Sequence, residues 1–148
     1  MNNCSPVIEG PIFAIVTPFN AHGMLDEMAL RDYLDYLESV GVKAIIVNGT
    51  NGEFPSTTIE EKLKVLEVAV NHYSGKIISH ISSCCYHEAN KMAWLSSQAD
   101  ALLILPPFYF NSLERTGLVA YFRQALNGIV MPVLLYDFPR YTNNPLFC

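Results

Sequence analysis

Short apolar runs recur along this sequence at a nearly constant interval, and each is followed by a segment with helical periodicity. The runs begin near residues 12, 43, 76, 101 and 130, so the mean repeat is close to 30 residues. Mostly apolar strands that alternate with amphipathic helices are typical of a parallel sheet covered by helices. A repeat of about 30 residues is the size of one βα unit in a (β/α)8 barrel. The pattern therefore predicts an α/β fold, an incomplete TIM barrel.

The periodicity predicts about five parallel strands and four helices. The strands are expected at Ile12–Val16, Ala44–Val47, Lys76–Ile81, Ala101–Leu105 and Val130–Tyr136. The helices are expected from a cap at Asp26 to about Val40, from the Thr58–Glu61 capping box to about Tyr73, over Tyr86–Ala99 and over Arg115–Leu126. A complete barrel needs roughly 250 residues. The sequence thus predicts one partial barrel domain spanning residues 1–148 that stops before a sixth strand.

Composition excludes several classes of protein. Hydrophobic residues make up 51% of the chain and charged residues 16%, which disfavours a disordered protein. The net charge of -5 disfavours binding to nucleic acid. No apolar run reaches membrane-helix length, and Met1–Ser5 lacks the basic start of a secretion signal, so we expect a cytoplasmic protein. The cysteines are expected to be ordinary thiols without disulfide or zinc spacing: Cys4, Cys84, Cys85 and Cys148.

Candidate functional residues follow the predicted strands, since the active site of such a fold lies at the carboxyl ends of the strands. The positions in question are Thr17, Asn48–Glu53, Ser82–Cys84, Phe108–Phe110, Tyr136, Asp137 and Arg140. The segment after the second strand is the most informative, because two glycines flank Thr50 and Asn51. Such a loop can present backbone N–H groups to a carboxylate or phosphate, and the Thr50 hydroxyl can pass a proton. The alternative is an ordinary turn that leads into a capped helix.

Two tyrosines end strands on the same predicted side. Tyr109 and Tyr136 can relay protons if a hydroxyl partner lies nearby, although each alone is more typical of a packing residue. Together with the Thr50 hydroxyl, the two tyrosines favour a functional role. Glu53 is expected to have a structural role at its turn, and His80 is expected to be a hydrogen-bonded core histidine. The sequence shows no convincing metal cluster and no cofactor fingerprint.

Four motifs together resemble the dihydrodipicolinate synthase / N-acetylneuraminate lyase family of class I, pyruvate-handling aldolases. Ala14–Phe19 looks like the first strand of that family, and Gly49–Glu53 is similar to its G-[ST]-[TG]-G-E loop. Pro107–Phe110 is similar to the P-[YF]-Y segment of the fourth strand, and Tyr136–Pro139 to the Y-[ND]-x-P motif. The four occur in order, each at the end of a strand.

The resemblance implies a mechanism without a cofactor. In the family, a lysine on strand six forms a Schiff base with pyruvate or a related 2-keto acid. By resemblance, Tyr136 relays protons near the imine, and Thr50 and Tyr109 complete the relay, with the second tyrosine often supplied across a dimer interface. The backbone of Thr50 and Asn51 would bind the carboxylate of the keto acid. Asn51 itself replaces a second hydroxyl residue, and Tyr141 stands where the synthase branch has an arginine, so the branch stays open.

The Schiff-base lysine is expected roughly 25–30 residues after Tyr136, but only 12 residues remain. Lys43 and Lys76 are predicted at the opposite end of the strands, and the other lysines on outer helices: Lys62, Lys64 and Lys91. The sequence therefore predicts an aldolase fragment that is inactive alone and forms homo-oligomers through its open sheet edges. Two alternatives remain open: a non-catalytic half-barrel assembly or binding subunit, and a complete small α/β binding protein.

Overall fold

A single parallel sheet with helices on one face forms the body of the protein. The structure is a computed structural model that describes residues 8–146. Its five strands lie in the order β1-β2-β3-β4-β5, so each strand pairs with the next one in the sequence. They are β1 (Ile12–Ala14), β2 (Ala44–Val47), β3 (Lys76–His80), β4 (Ala101–Ile104) and β5 (Val133–Leu135). This sequential winding of parallel strands confirms the predicted partial barrel.

Four long helices connect the strands, as the sequence predicted. They are α1 (Glu27–Ser39), α2 (Ile59–His72), α3 (Tyr86–Leu95) and α4 (Arg115–Ala125). A 3₁₀ turn over Phe54–Ser56 and a short fifth helix, α5 (Pro139–Thr142), were not predicted. Within residues 8–146, none of the helices combines the length and apolarity needed to cross a lipid bilayer.

Three predicted boundaries were wrong by a few residues. Strand β5 begins at Val133 instead of Val130, because Pro132 precedes it and Val130 is 99% exposed. Strand β1 ends at Ala14 instead of Val16, although the Ile15 N–H still donates to the Ile46 carbonyl at 3.0 Å. Helix α3 ends at Leu95, four residues before the predicted end.

The core lies between the sheet and the helices. Leu30, Leu34 and Leu37 lie along one face of α1 and are fully buried against the outward-facing residues of β2, Ile45 and Val47. A second cluster packs α3 and α4 against β4 through Met92, Tyr121 and Leu102, among others. Each such aliphatic or aromatic side chain contributes about 1.5–3 kcal/mol when fully buried. The helical layer therefore holds the strands in place and fixes where their carboxyl ends lie.

The two outermost strands lack this cover. Phe13 on β1 is 43% exposed and Leu135 on β5 is 54% exposed, although both point toward the helical side of the sheet. The opposite face carries a smaller cluster around Ile78, Ala101 and Leu103. Apolar surface is thus left at both sides of the sheet.

The start of α2 is fixed by a reciprocal cap. The Glu61 N–H donates to the Thr58 hydroxyl at 3.1 Å, and the Thr58 N–H donates to the Glu61 carboxylate at 2.8 Å. This is the capping box that the sequence predicted. Because α2 follows the loop after β2, the cap also anchors one end of that loop.

Replacing Thr58 tests this anchor. We expect Thr58→Ala to lower the free energy of unfolding by about 1 kcal/mol, because the first turn of α2 loses a side-chain acceptor. Thr58→Ser keeps the hydroxyl and should stay within about 0.5 kcal/mol of the parent chain. Urea denaturation followed by circular dichroism measures both, and equal destabilisation of the two variants would contradict the capping role.

Candidate active site

Three of the predicted site residues line one cavity at the carboxyl ends of the strands. Thr50 and Asn51 come from the loop after β2, and Tyr136 from the end of β5. The cavity has a volume of about 360 Å³. Its remaining lining consists of small or apolar residues: Ala14, Ile46, Gly49, Leu103, Leu134 and Leu135. The site is therefore a mostly apolar hollow to which Thr50, Asn51 and Tyr136 contribute the polar groups.

The loop after β2 is held tightly by its neighbours. The Thr17 hydroxyl donates to the Gly52 carbonyl at 2.9 Å, and the Asn51 side chain donates to the Ala14 carbonyl at 3.1 Å. A Cβ atom on Gly52 would lie 3.1 Å from the Thr17 hydroxyl and 3.3 Å from the Gly49 nitrogen, so this close approach favours glycine. Thr17, a candidate from the sequence, thus holds the loop in place.

The Thr50 hydroxyl has no hydrogen-bond partner. Its oxygen is buried, and none of the described residues donates to it or accepts from it. The backbone N–H groups of Thr50 and Asn51 are likewise absent from the hydrogen bonds that residues 8–146 form. A buried polar group without a partner costs about 1–3 kcal/mol. A ligand, an ion or a water molecule can supply the missing partner.

An aromatic stack orients Tyr136. The ring of Phe138 lies between those of Tyr136 and Tyr141, with centroid distances of 5.5 and 5.6 Å and interplanar angles of 16° on both sides. Tyr141 and Phe138 belong to or border α5, the short helix that the sequence did not predict. Helix α5 therefore fixes the ring that reaches the cavity, and Tyr141 occupies a packing position.

Tyr109 lies apart from the other three residues. Its side chain is 78% exposed and borders a second cavity of about 520 Å³. The loop that carries it is fixed by two contacts: the Tyr109 N–H donates to the Cys84 sulfur at 3.3 Å, and the Asn144 side chain donates to the Pro107 carbonyl at 2.8 Å. Within one chain, Tyr109 does not join the cavity of Thr50 and Tyr136, so its role stays a prediction.

Buried hydrogen bonds link the carboxyl ends of β2, β3 and β4, and two of the residues involved, His80 and Ser82, line the second cavity. The His80 Nδ1–H donates to the Asn48 carbonyl at 2.9 Å, and the Ser82 hydroxyl donates to His80 Nε2 at 2.9 Å. The Leu105 N–H in turn donates to the Ser82 oxygen at 2.6 Å. A carbonyl can only accept, so this tautomer of His80 is fixed. The predicted hydrogen-bonded core histidine is confirmed.

Burial keeps His80 neutral. Loss of water is the main cause that lowers the pKa of His80; the bond to the Asn48 carbonyl opposes it, the nearby Lys62 charge adds to it, and the resulting pKa is about 4. The histidine therefore acts as a fixed donor and acceptor near pH 7 and does not change charge there.

The structure adds detail to the predictions for Glu53 and Lys62. Glu53 has a left-handed backbone with φ of 57° and makes no side-chain cap bond, so its turn is built from its backbone N–H and carbonyl. Lys62 does lie on α2, but its side chain is half-buried and faces the second cavity. The sequence could not predict the position of the Lys62 side chain or the hydrogen bonds of Asn144, because both depend on residues that are distant along the chain.

The remaining chemistry-bearing groups are few. Cys84 and Cys85 are free thiols, and the predictions for Cys4 and Cys148 lie outside the described residues. Within residues 8–146, no three His, Cys, Asp or Glu side chains converge as metal ligands would.

Comparisons of sequence and of structure with known proteins all indicate the same family. The sequence model of the Dihydrodipicolinate synthetase family matches residues 7–147. The 4-hydroxy-tetrahydrodipicolinate synthase of Staphylococcus saprophyticus is 36% identical over 142 residues, which cover 93% of this chain and 47% of that protein. Dihydrodipicolinate synthase from Aquifex aeolicus superimposes with a TM-score of 0.85 at 32% identity, over 91% of this chain and 47% of that one.

A third relative was solved with a ligand. The prophage protein YagE from E. coli K12, a member of the dihydrodipicolinic acid synthase family in complex with pyruvate, superimposes with a TM-score of 0.85 at 26% identity. The match covers 90% of this chain and 46% of that protein. The chain thus spans about half the length of the relatives it matches.

The titration of His80 gives a pH prediction. Its pKa is about 4 in the folded chain and about 6.5 when unfolded, so between these values only the unfolded chain takes up the proton. Stability from this group is complete above pH 6.5 and falls as pH decreases toward about 4, by up to about 3 kcal/mol. Urea unfolding from pH 7 to 4.5 should show a weaker pH dependence in His80→Gln, whereas His22→Gln, in an exposed loop, should retain the full dependence. Identical slopes in both variants would contradict the burial of a neutral histidine.

Proposed function

This chain belongs to the Dihydrodipicolinate synthetase family, and we propose from this that it is part of a Schiff-base-forming aldolase or lyase that acts on pyruvate or a related 2-keto acid. The proposal assigns substrate binding to the cavity of Thr50, Asn51 and Tyr136. The pyruvate complex of a related protein supports a 2-keto acid as the ligand.

One observation carries this proposal: the buried Thr50 hydroxyl and the backbone N–H groups of Thr50 and Asn51 at this cavity form no hydrogen bond to another group of the protein within residues 8–146. A carboxylate accepts several such bonds at once and would satisfy them together. The apolar lining from Ile46, Leu103 and Leu134 suits the carbon chain of a small keto acid.

The proton chemistry is assigned to the hydroxyls. Tyr136 is held at the cavity by its aromatic stack, and Thr50 offers the neighbouring hydroxyl. In this proposal they form the relay that serves an imine. Tyr109 completes the relay from a second copy of the chain, which its 78% exposure permits.

The amine that forms the imine is not among the residues at this cavity. The chain has five lysines, and none of them lines the hollow around Thr50 and Tyr136. We therefore propose that the chain holds pyruvate as an intact ketone and is inactive alone. Without the electron-withdrawing iminium, the carbon–carbon bond next to the ketone is neither cleaved nor formed at a useful rate.

A second candidate function is that of a non-catalytic half-barrel which assembles with another chain. The exposure of Phe13 and Leu135 on the two outermost strands favours this candidate, because apolar area in water costs about 25 cal/mol per Å². A second copy of the chain could cover both strands and complete a sheet.

Borohydride reduction tests the covalent part of the proposal. With pyruvate present, we expect none of the five lysines to acquire a reduced pyruvyl adduct, because no amine lies beside the bound ketone. The full-length Staphylococcus saprophyticus synthase, treated in parallel, is the positive control. Intact-mass and peptide mass spectrometry read the result, and a stoichiometric adduct on this chain would contradict the proposed inactivity.

Light scattering tests the assembly. We expect the chain to elute from a size-exclusion column with a mass at least twice its own 16.6 kDa. Phe13→Lys together with Leu135→Lys should shift the population toward the monomer, since charge on an outer strand opposes edge pairing. The matched control is Val130→Lys, which changes a residue that is 99% exposed. A monodisperse 16.6 kDa particle in the unaltered chain would overturn this proposal.

A further inference from the structure

We propose that Lys62 is a carbonyl-reactive amine that captures small, uncharged aldehydes in the second cavity. This cavity of about 520 Å³ lies at the end of β3, between α2, α3 and the loop after β4, and shares no lining residue with the hollow around Thr50 and Tyr136. The inference is therefore independent of the proposed keto-acid site and goes beyond it.

Lys62 differs from the other lysines in its surroundings. Its side chain is half-buried, and within residues 8–146 its ammonium forms neither a hydrogen bond nor a salt bridge. Lys64 is paired with Glu27 and Glu67, and Lys76 is paired with Asp100 at 2.6 Å. The other two lysines, Lys43 and Lys91, are exposed to water. Lys62 is thus the amine that is both partly desolvated and free of an ion pair.

This environment favours the nucleophilic form of the amine. Burial lowers the pKa of Lys62, and the charges of Glu88 and Glu61 only partly oppose that effect. A neutral amine carries the lone pair that attacks a carbonyl, so desolvation in an apolar pocket is a recognised way to activate lysine. The backbone of Lys62 is also held in place, because the Asn48 side chain donates a hydrogen bond to the Lys62 carbonyl at 3.0 Å.

The walls of the cavity select the ligand. Its apolar side is formed by Phe54, Ile59, Ile81, Met92 and Phe108. These side chains suit the ring or chain of an aldehyde. The carboxylates of Glu61 and Glu88 lie close enough to act on the Lys62 charge, so an anionic keto acid is disfavoured there.

The chemistry needs no redox partner. The Lys62 lone pair forms the C–N bond while the carbonyl π electrons move to oxygen, and one proton passes from the nitrogen to that oxygen to give a neutral carbinolamine. A second proton then passes from the nitrogen to the hydroxyl, which leaves as water with the C–O electron pair while the nitrogen lone pair forms the C=N bond of the imine. Glu88 can carry these protons, and the Ser83 hydroxyl orients it by donating to its carboxylate at 2.8 Å.

Reductive trapping with benzaldehyde and cyanoborohydride at pH 7 tests the proposal. We expect peptide mass spectrometry to show Lys62 labelled about tenfold faster than Lys43 or Lys91, because the apolar walls hold the ring and the amine is activated. The preference should vanish in urea, where all lysines are equally solvated. In the Lys62→Arg variant, the rapid labelling of this peptide should disappear, while the labelling of the other lysines stays unchanged.

Further arms separate this site from the keto-acid site. Excess pyruvate should leave the Lys62 rate unchanged, and Phe108→Glu should slow it by placing a charge in the apolar wall at a half-buried position. Exposed Phe110→Glu, in the same loop, is the matched control. Equal labelling of Lys62 and the exposed lysines, or protection of Lys62 by pyruvate, would overturn the proposal.

Discussion

The polar chain from Asn48 through His80 and Ser82 to Leu105 is the interaction on which both cavities depend. It joins the carboxyl ends of β2, β3 and β4 inside the protein, where each group has a partner. Parallel strands do not by themselves fix the loops that follow them, since the backbone ladder ends where the loop begins. The neutral imidazole of His80 extends that ladder by side-chain bonds. It thereby fixes the position of Asn48, at the start of the Thr50 loop, relative to the end of β3.

The two cavities have different chemistry. In the first, the buried Thr50 hydroxyl forms no hydrogen bond within residues 8–146, and Tyr136 contributes to a mostly apolar lining. In the second, Lys62 lies together with aromatic and aliphatic side chains. The proposed keto-acid function accounts for the first of these sites. The second follows from the burial of one amine and requires no resemblance.

The sequence predicted what depends on local pattern and missed what depends on distant contacts. The strands and long helices followed from apolar periodicity, and the start of α2 from the Thr58 capping box. The tight loop followed from its glycines. Helix α5 did not, because its four residues are too few to carry a periodic signal. Asn144 bonds to Pro107 across 37 positions of the chain, which no local pattern reveals.

The candidate site shows the same division. The residue types of Thr50, Asn51 and Tyr136 indicated the chemistry, and the parallel sheet brings them to one cavity. The unpartnered state of the Thr50 hydroxyl is a property of packing and needed the structure. The exposure of Tyr109 likewise depends on how its loop is fixed by Cys84 and Asn144.

The affinity of the chain for pyruvate tests the central claim most directly. Ligand-observed NMR would compare the parent chain with Thr50→Val, which removes the unpartnered hydroxyl at nearly constant volume, and with Thr116→Val on the exposed face of α4. The account predicts saturable binding that weakens about tenfold in Thr50→Val, as expected for one lost hydrogen bond to a carboxylate, and stays unchanged in Thr116→Val. Absence of binding, or equal affinity in all three proteins, would contradict it.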